Sequence, residues 1–176
     1  MPIVIQTPRI ETEIAPRYLV NMHFWKMGIL PIEGGWGYTQ EDAVIINMND
    51  PLVTPDYLFN GVEIEYRFAE RRIYEELIFQ RKENDRYSEI RWKLKEQELI
   101  SVKEKKYDLL EFRVTAFPTE DWEELKAEYE GKNGYETMGF DREEHERKRQ
   151  AKMITYDTTF WFEISSFFGK KQYFVV

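Results

Sequence analysis

Asn60-Gly61-Val62-Glu63-Ile64-Glu65-Tyr66-Arg67-Phe68 opens the stretch on which the reading of the fold turns. After the turn dipeptide Asn60-Gly61 the residues alternate strictly, with Val62, Ile64, Tyr66 and Phe68 set against Glu63, Glu65 and Arg67. The alternation returns at Ile90, Trp92 and Leu94 against Arg91, Lys93 and Lys95. It returns again at Leu110, Phe112, Val114 and Ala116 against Glu111, Arg113 and Thr115. A period of two with one apolar parity belongs to strands that cover a core on one side and meet water on the other. Ala69 to Arg81 fits both periods: Ala69, Ile73, Tyr74, Leu77 and Ile78 make a helical stripe, and Ile73, Glu75, Leu77 and Phe79 alternate. Strand-like neighbours and the polar turn Arg81–Asp85 favour a strand, so Asn60–Pro118 reads as a meander.

Towards the N-terminus, Tyr18 to Leu30 is mostly apolar and reads as a strand, with a short buried helix as the competitor. Residues 1 to 17 hold three prolines around Ile3–Ile5, which suits an edge strand or a draped arm. Gly34-Gly35-Trp36-Gly37-Tyr38 is a loop, because three glycines in four residues do not hold regular structure. Thr39 and Asp42 suggest a brief helix or turn feeding a strand at Val44–Ile46, and residues 49 to 60 are connection.

Past Pro118 the period changes. Thr119 caps a helix over 119–130 whose Trp122, Leu125 and Tyr129 form one stripe. A second glycine-aromatic loop, Gly131 to Phe140, leads to Asp141 and a charged helix over 141–153. That helix has almost no apolar face, so it is peripheral or lies against a partner. Strand character returns over Ile154–Phe168, and Tyr173–Val176 reads as a last edge strand. No internal repeat or change in composition divides the chain, so 1–176 is expected to be one domain.

At 176 residues the chain is long enough to bury roughly 70% of its unfolded surface without a covalent staple. Aromatic residues make up 16%, which favours a sheet packed through Phe, Tyr and Trp. The net charge is -8, with 25 Lys and Arg interspersed among 33 Asp and Glu, so nucleic acid is not an expected partner. The absence of cysteine excludes disulfides, thiolate nucleophiles and sulfur-ligated zinc. No apolar run reaches the roughly 20 residues that cross a bilayer, and the first residues do not resemble a signal peptide. The expectation is a soluble, cytoplasmic, acidic protein with no membrane partner.

Catalytic motifs are absent: there is no phosphate loop, dinucleotide fingerprint or Gly-x-Ser-x-Gly elbow. With only His23 and His145, a multi-histidine metal site is excluded, and no metal or cofactor is expected. His145 lies in a polar helix start and reads as a surface residue. His23 is the one catalytic candidate, as a general base beside carboxylates, although a lone histidine is more often a hydrogen-bonded core group. Glu63 and Glu65 share a parity and with a third carboxylate would suit Ca²⁺ or Mg²⁺, but the simpler reading is the wet side of a strand.

The expected fold is α+β: a curved antiparallel sheet of about six to nine strands, half-barrel or small barrel, with the two helices on one side or end. The expected function is non-catalytic binding of a protein or small-molecule ligand, with Trp36, Tyr38, Tyr135 and Phe140 as binding residues. Two alternatives stand beside it. One is a small-molecule pocket inside the sheet lined by Trp92, Phe112 and Trp161; the other is a hydrolase or isomerase that uses His23.

Overall fold

The computed structural model describes residues 1–131 and 139–170. Its elements run β1 (Ile3–Val4), α1 (Pro16–His23), β2 (Ile32–Gly34), β3 (Val44–Ile46), α2 (Gly61–Tyr74), β4 (Tyr87–Val102), β5 (Lys105–Pro118), α3 (Thr119–Gly131), α4 (Arg142–Lys152) and β6 (Ile154–Glu163). A 3₁₀ turn, Trp25–Met27, follows α1, and a π-helical turn, Glu75–Phe79, extends α2.

Six strands form one open sheet in the order β2-β3-β6-β5-β4, with β1 also paired to β6. The sheet does not close into a barrel. It is antiparallel except where β1 and β3 run parallel to β6. Those two strands occupy the same edge of β6 at its two ends, at Ile154–Thr155 and at Phe162–Glu163. Between them that edge is filled piecemeal. Thr7 Oγ1 donates to Asp157 O at 2.8 Å, Trp161 N donates to Gly37 O at 2.8 Å, and Arg72 Nη2 donates to Thr159 O at 2.7 Å.

Asn60–Phe68 is not a strand. It is the first half of α2, and the expected strand over 69–81 is the rest of that helix and its π turn. Asn60 is the N-cap, its side chain accepting from Glu63 N at 3.1 Å. The buried stripe runs Gly61, Ile64, Glu65, Phe68, Ala69, Arg72, Ile73, Glu76 and Leu77, a helical period. The alternating set splits into two i, i+4 pairs, with Ile64 and Phe68 buried and Val62 and Tyr66 exposed. Charge at Glu65, Arg72 and Glu76 hides the stripe from a hydrophobicity reading.

Tyr18–Leu30 likewise folds as α1 and its 3₁₀ turn, the competitor reading. Pro16 starts the helix, where a missing N–H is harmless, and Leu19 and Val20 face inward. Among the described residues there are thus four α-helices rather than two. Thr39–Asp42 is a turn, in which Thr39 N donates to Asp42 Oδ1 at 2.6 Å, and it feeds β3 as expected. The helices after Pro118 and Asp141 both form, and Asp141 caps α4 by accepting from Glu144 N at 3.0 Å. Thr119, by contrast, is already inside α3 and donates its hydroxyl to Arg86 O at 2.9 Å instead of capping the helix. Strand β6 stops at Glu163 and Ile164–Phe168 turns. Tyr173–Val176 lies outside the described residues.

Helix α2 lies against the inward parity of β5 and β6. Tyr66 meets Phe112 edge-on at 5.8 Å, Phe68 meets Phe162 at 5.8 Å, and Phe112 meets Phe160 at 5.5 Å. At the β5 end, Phe117 packs on Trp122 of α3, and Arg149 of α4 lies over both rings. The charged face of α4 is turned to α3 by ion pairs, Lys152 with Asp121 and Glu124, and Lys148 with Glu128.

Candidate functional site

Helix α1 and its 3₁₀ turn are fastened to the body by polar bonds made on their inner side. Arg17 pairs with the buried Asp50 and donates to Ile32 O at 3.0 Å. Asn21 Nδ2 donates to Leu30 O at 3.2 Å, and Leu30 N donates back to Asn21 Oδ1 at 2.9 Å. From α2, Arg71 Nη1 reaches Asn21 Oδ1 at 3.2 Å, and its Nη2 reaches Gly28 O at 2.7 Å. Arg67 Nη2 donates to Met27 O. Gly28 takes φ 90° to end the turn, a conformation L side chains rarely adopt. These clamps leave the opposite face bare, and it is apolar: Tyr18, Met22, Trp25, Met27 and Ile29 are all exposed.

His23 lies at the end of α1. Its Nδ1 contacts Glu75 Oε1, and its ring stacks on Phe79 at 4.5 Å. Glu75 is buried, and its Oε2 accepts from Gln80 Nε2 at 2.8 Å. The π turn brings these together, with Gln80 N donating to Glu75 O at 2.9 Å. A carboxylate on Nδ1 fixes the imidazole's orientation, the arrangement that acid–base chemistry requires and that a rigid polar contact equally uses.

A second cluster lies under the sheet. Arg72 is fully buried between the rings of Tyr38, at 4.2 Å, and Phe160, at 3.4 Å. It donates to Trp36 O, Thr158 Oγ1 and Thr159 O, and its Nε lies 3.1 Å from Glu76 Oε1. Glu76 accepts from Tyr38 at 2.7 Å and Tyr156 at 3.2 Å. Burial, with Glu76 adjacent, pushes both phenols far above their ordinary range. Each charge meets a partner here, so the network joins α2 to β6 and the 34–38 loop.

A third group pairs Glu65 with Asp108, which accepts from Gln97 Nε2 at 3.1 Å. Ionised, Glu65 leaves Oε2 without a partner; protonated, it donates to Asp108. Burial first, and then Asp108, pushes its carboxyl up to about 9. Glu65 is therefore not the wet side of a strand, whereas Glu63 is exposed and pairs with Arg67. Among the described residues no three His, Cys, Asp or Glu converge as metal ligands.

Of the binding residues read from the loops, Trp36 is buried against Phe68, and Tyr38 points its hydroxyl into the Glu76 cluster. Phe140 packs on His145 at 5.2 Å and Tyr129 at 6.1 Å. Tyr135 lies outside the described residues. His145 is buried beside Glu128, not on the surface, because α4 turns it towards α3. Trp92 and Phe112 face α2, while Trp161 sits on the opposite parity of the sheet.

The surface carries shallow cavities. One of about 530 Å³ runs along the hairpin and includes Arg91, Lys93, Lys95 and Arg113. Its cations are largely matched, Arg91 by Glu89, Lys95 by Glu111 and Asp157, and Arg113 by Asp157. Another, of about 370 Å³, lies between α3 and α4 at Trp122 and His145. His23 lines neither of them. The exposed apolar face of α1 was missed because a strand reading divides its residues between two sheet faces. A helical reading puts Tyr18, Met22 and Trp25 at i, i+4 and i+7. No helix of the described residues is long and apolar enough to cross a membrane. No protein-family model, curated protein or solved structure matches this chain.

Proposed function

We propose that this chain is a non-catalytic interaction protein that docks a partner protein on the outer face of α1 and its 3₁₀ turn. One observation carries the reading. Tyr18, Met22, Trp25, Met27 and Ile29 are 69%, 59%, 65%, 52% and 45% exposed within a twelve-residue span. Apolar surface concentrated in this way marks a site of association, and aromatic and methionine side chains are the types enriched in interface cores. Tyr18 and Met22 stand at i, i+4 on α1, a spacing that a groove in a partner reads from a helix, and Trp25 extends the strip onto the 3₁₀ turn. The inner clamps from Arg17, Asn21, Arg67 and Arg71 hold the face rigid, which lowers the entropy lost on docking.

His23 belongs to the same surface as an oriented polar contact at the edge of the strip. It stands outside the clefts described above, which favours this role over general-base chemistry. A pocket inside the sheet is disfavoured because α2 occupies the face that would line it. The test replaces Tyr18, Met22 and Trp25 together by serine and compares the proteins retained by each form from source-cell extract. The variant should keep the wild-type circular dichroism and melting curve while losing the specifically retained partners. If the folded triple variant retains the same set, the reading is overturned.

A further inference from the structure

We infer that β4 is a homotypic docking edge, pairing antiparallel with β4 of a second copy of this chain about a two-fold axis between Lys95 and Glu96. This goes beyond the reading above and is independent of α1. Strand β4 ends the sheet order and, among the described residues, is paired only on its β5 side. No hydrogen bond from a described residue reaches the outward backbone groups of Arg91–Val102, so this edge offers a free ladder. Most of this stretch is exposed, and the apolar side chain of Leu99 is 52% exposed.

The sequence of the edge is self-complementary. Arg91, Lys93 and Lys95 carry one charge, and Glu96 and Glu98, immediately after, carry the other. Antiparallel pairing about the 95/96 step sets Lys93 opposite Glu98 of the second copy, and Lys95 opposite its Glu96. By symmetry each pair occurs twice. Lys93, Glu96 and Glu98 have no ion pair or hydrogen bond to a described residue, so these charges are available. Lys95 already holds Glu111 and Asp157 and contributes less.

The faces also match. Trp92, Leu94, Gln97 and Leu99 lie opposite Val114, Phe112, Leu110 and Asp108 on the α2 side of the hairpin. Lys93, Glu96 and Glu98 lie opposite Arg113, Glu111 and Leu109 on the outer side. In the proposed register Trp92 meets Leu99 of the second copy and Leu94 meets its Gln97, inner face against inner face. Exposed Leu99 then packs beside a half-buried ring, a cross-strand contact of the stabilising kind. The irregularity between Leu94 and Glu96 adds one residue, Lys95, beside the axis, and this extra residue is what lets inner side chains on the two sides of the axis share a face in this register. A shift of one residue would place every inner side chain against an outer one.

The experiment is sedimentation equilibrium of the full chain over a range of protein concentration. It compares the wild type with Lys93→Glu, Glu98→Lys, the double variant, and a mixture of the two single variants. The wild type should form a dimer that weakens with added salt. Each single variant places like charges opposite at both pairs and should raise the dissociation constant about tenfold or more. The double variant, and the equimolar mixture of the singles, restore opposite charges at both pairs and should recover the wild-type constant. A wild type that stays monomeric throughout, or a dimer indifferent to the single reversals, overturns the inference. So does failure of both the double variant and the mixture to recover.

Discussion

Helix α2 turns Glu65, Arg71, Arg72, Glu75 and Glu76 inward, whereas the β4–β5 hairpin turns Arg91, Lys93, Lys95, Glu98 and Arg113 to solvent. The residue types are the same and their physical roles are opposite. Buried charges must be paired, so those of α2 reach specific atoms: Arg71 takes Gly28 O, Arg72 takes Thr159 O, and Glu75 takes His23. They fix where α1, the 34–38 loop and β6 sit around the helix. On the hairpin, apolar side chains do the positioning and the charges keep the wet face soluble. Arg113 and Lys95 converge on Asp157 there, but in water such pairs hold little. Charge on this chain is structural where it is desolvated and stays hydrated where it is not.

The sharpest break in that contrast is Arg72→Ala, which leaves Glu76 buried without its cation and Thr159 O without its donor. It should lower stability by roughly 3–5 kcal/mol, read from the urea midpoint. Glu65→Gln works in the opposite direction. The folded state holds a proton on Glu65 up to about 9, while the unfolded carboxyl releases it near 4.5. The native state therefore binds more protons between those values, and its stability falls as pH rises through the window. The slope from this one group is about 1.4 kcal/mol per pH unit. Glutamine removes it, so denaturation curves from pH 5 to 9 should show a flatter profile and a variant more stable than wild type at the alkaline end. Arg113→Ala is the smallest change. The urea midpoint should stay within error while Asp157, held down to about 2 by Arg113 and Lys95, titrates closer to 3.8 by NMR. A large loss of stability at Arg113, or none at Arg72, would erase the distinction between the two regions.

The hairpin was legible because Ile90, Trp92 and Leu94, like Leu110 to Ala116, alternate for the reason strands alternate: one face is dry and the other wet. The helix after Asp141 was legible from its cap, and the one after Pro118 from the change to a helical period at Trp122 and Leu125. Helix α2 was not, because hydrophobic periodicity assumes that the buried stripe is apolar, and here Glu65, Arg72 and Glu76 occupy it. The signal that remained was Asn60 with Glu63 three residues on, a capping pair, ahead of a run from Val62 to Arg81 free of glycine and proline. Trp36 and Tyr38 sit among glycines, which suits either a binding loop or rings folded back over the core, and the second is what they do. Glycine permits a loop to turn inward as readily as outward, and here the loop fills the open edge of β6.

Local sequence sufficed for the mixed α+β class, for the β4–β5 hairpin and its wet face, and for the two later helices with the Asp141 cap. Each follows from neighbours along the chain, through side-chain period, capping geometry and composition. Packing between distant segments settles which charges are desolvated, that Gly61–Tyr74 is a helix, and that α1 and its 3₁₀ turn present Tyr18, Met22 and Trp25 outward. Those outcomes depend on partners distant in sequence, such as Thr159 for Arg72 and Asp108 for Glu65. Burial of a charge is settled by whether such a partner arrives, which no local pattern records.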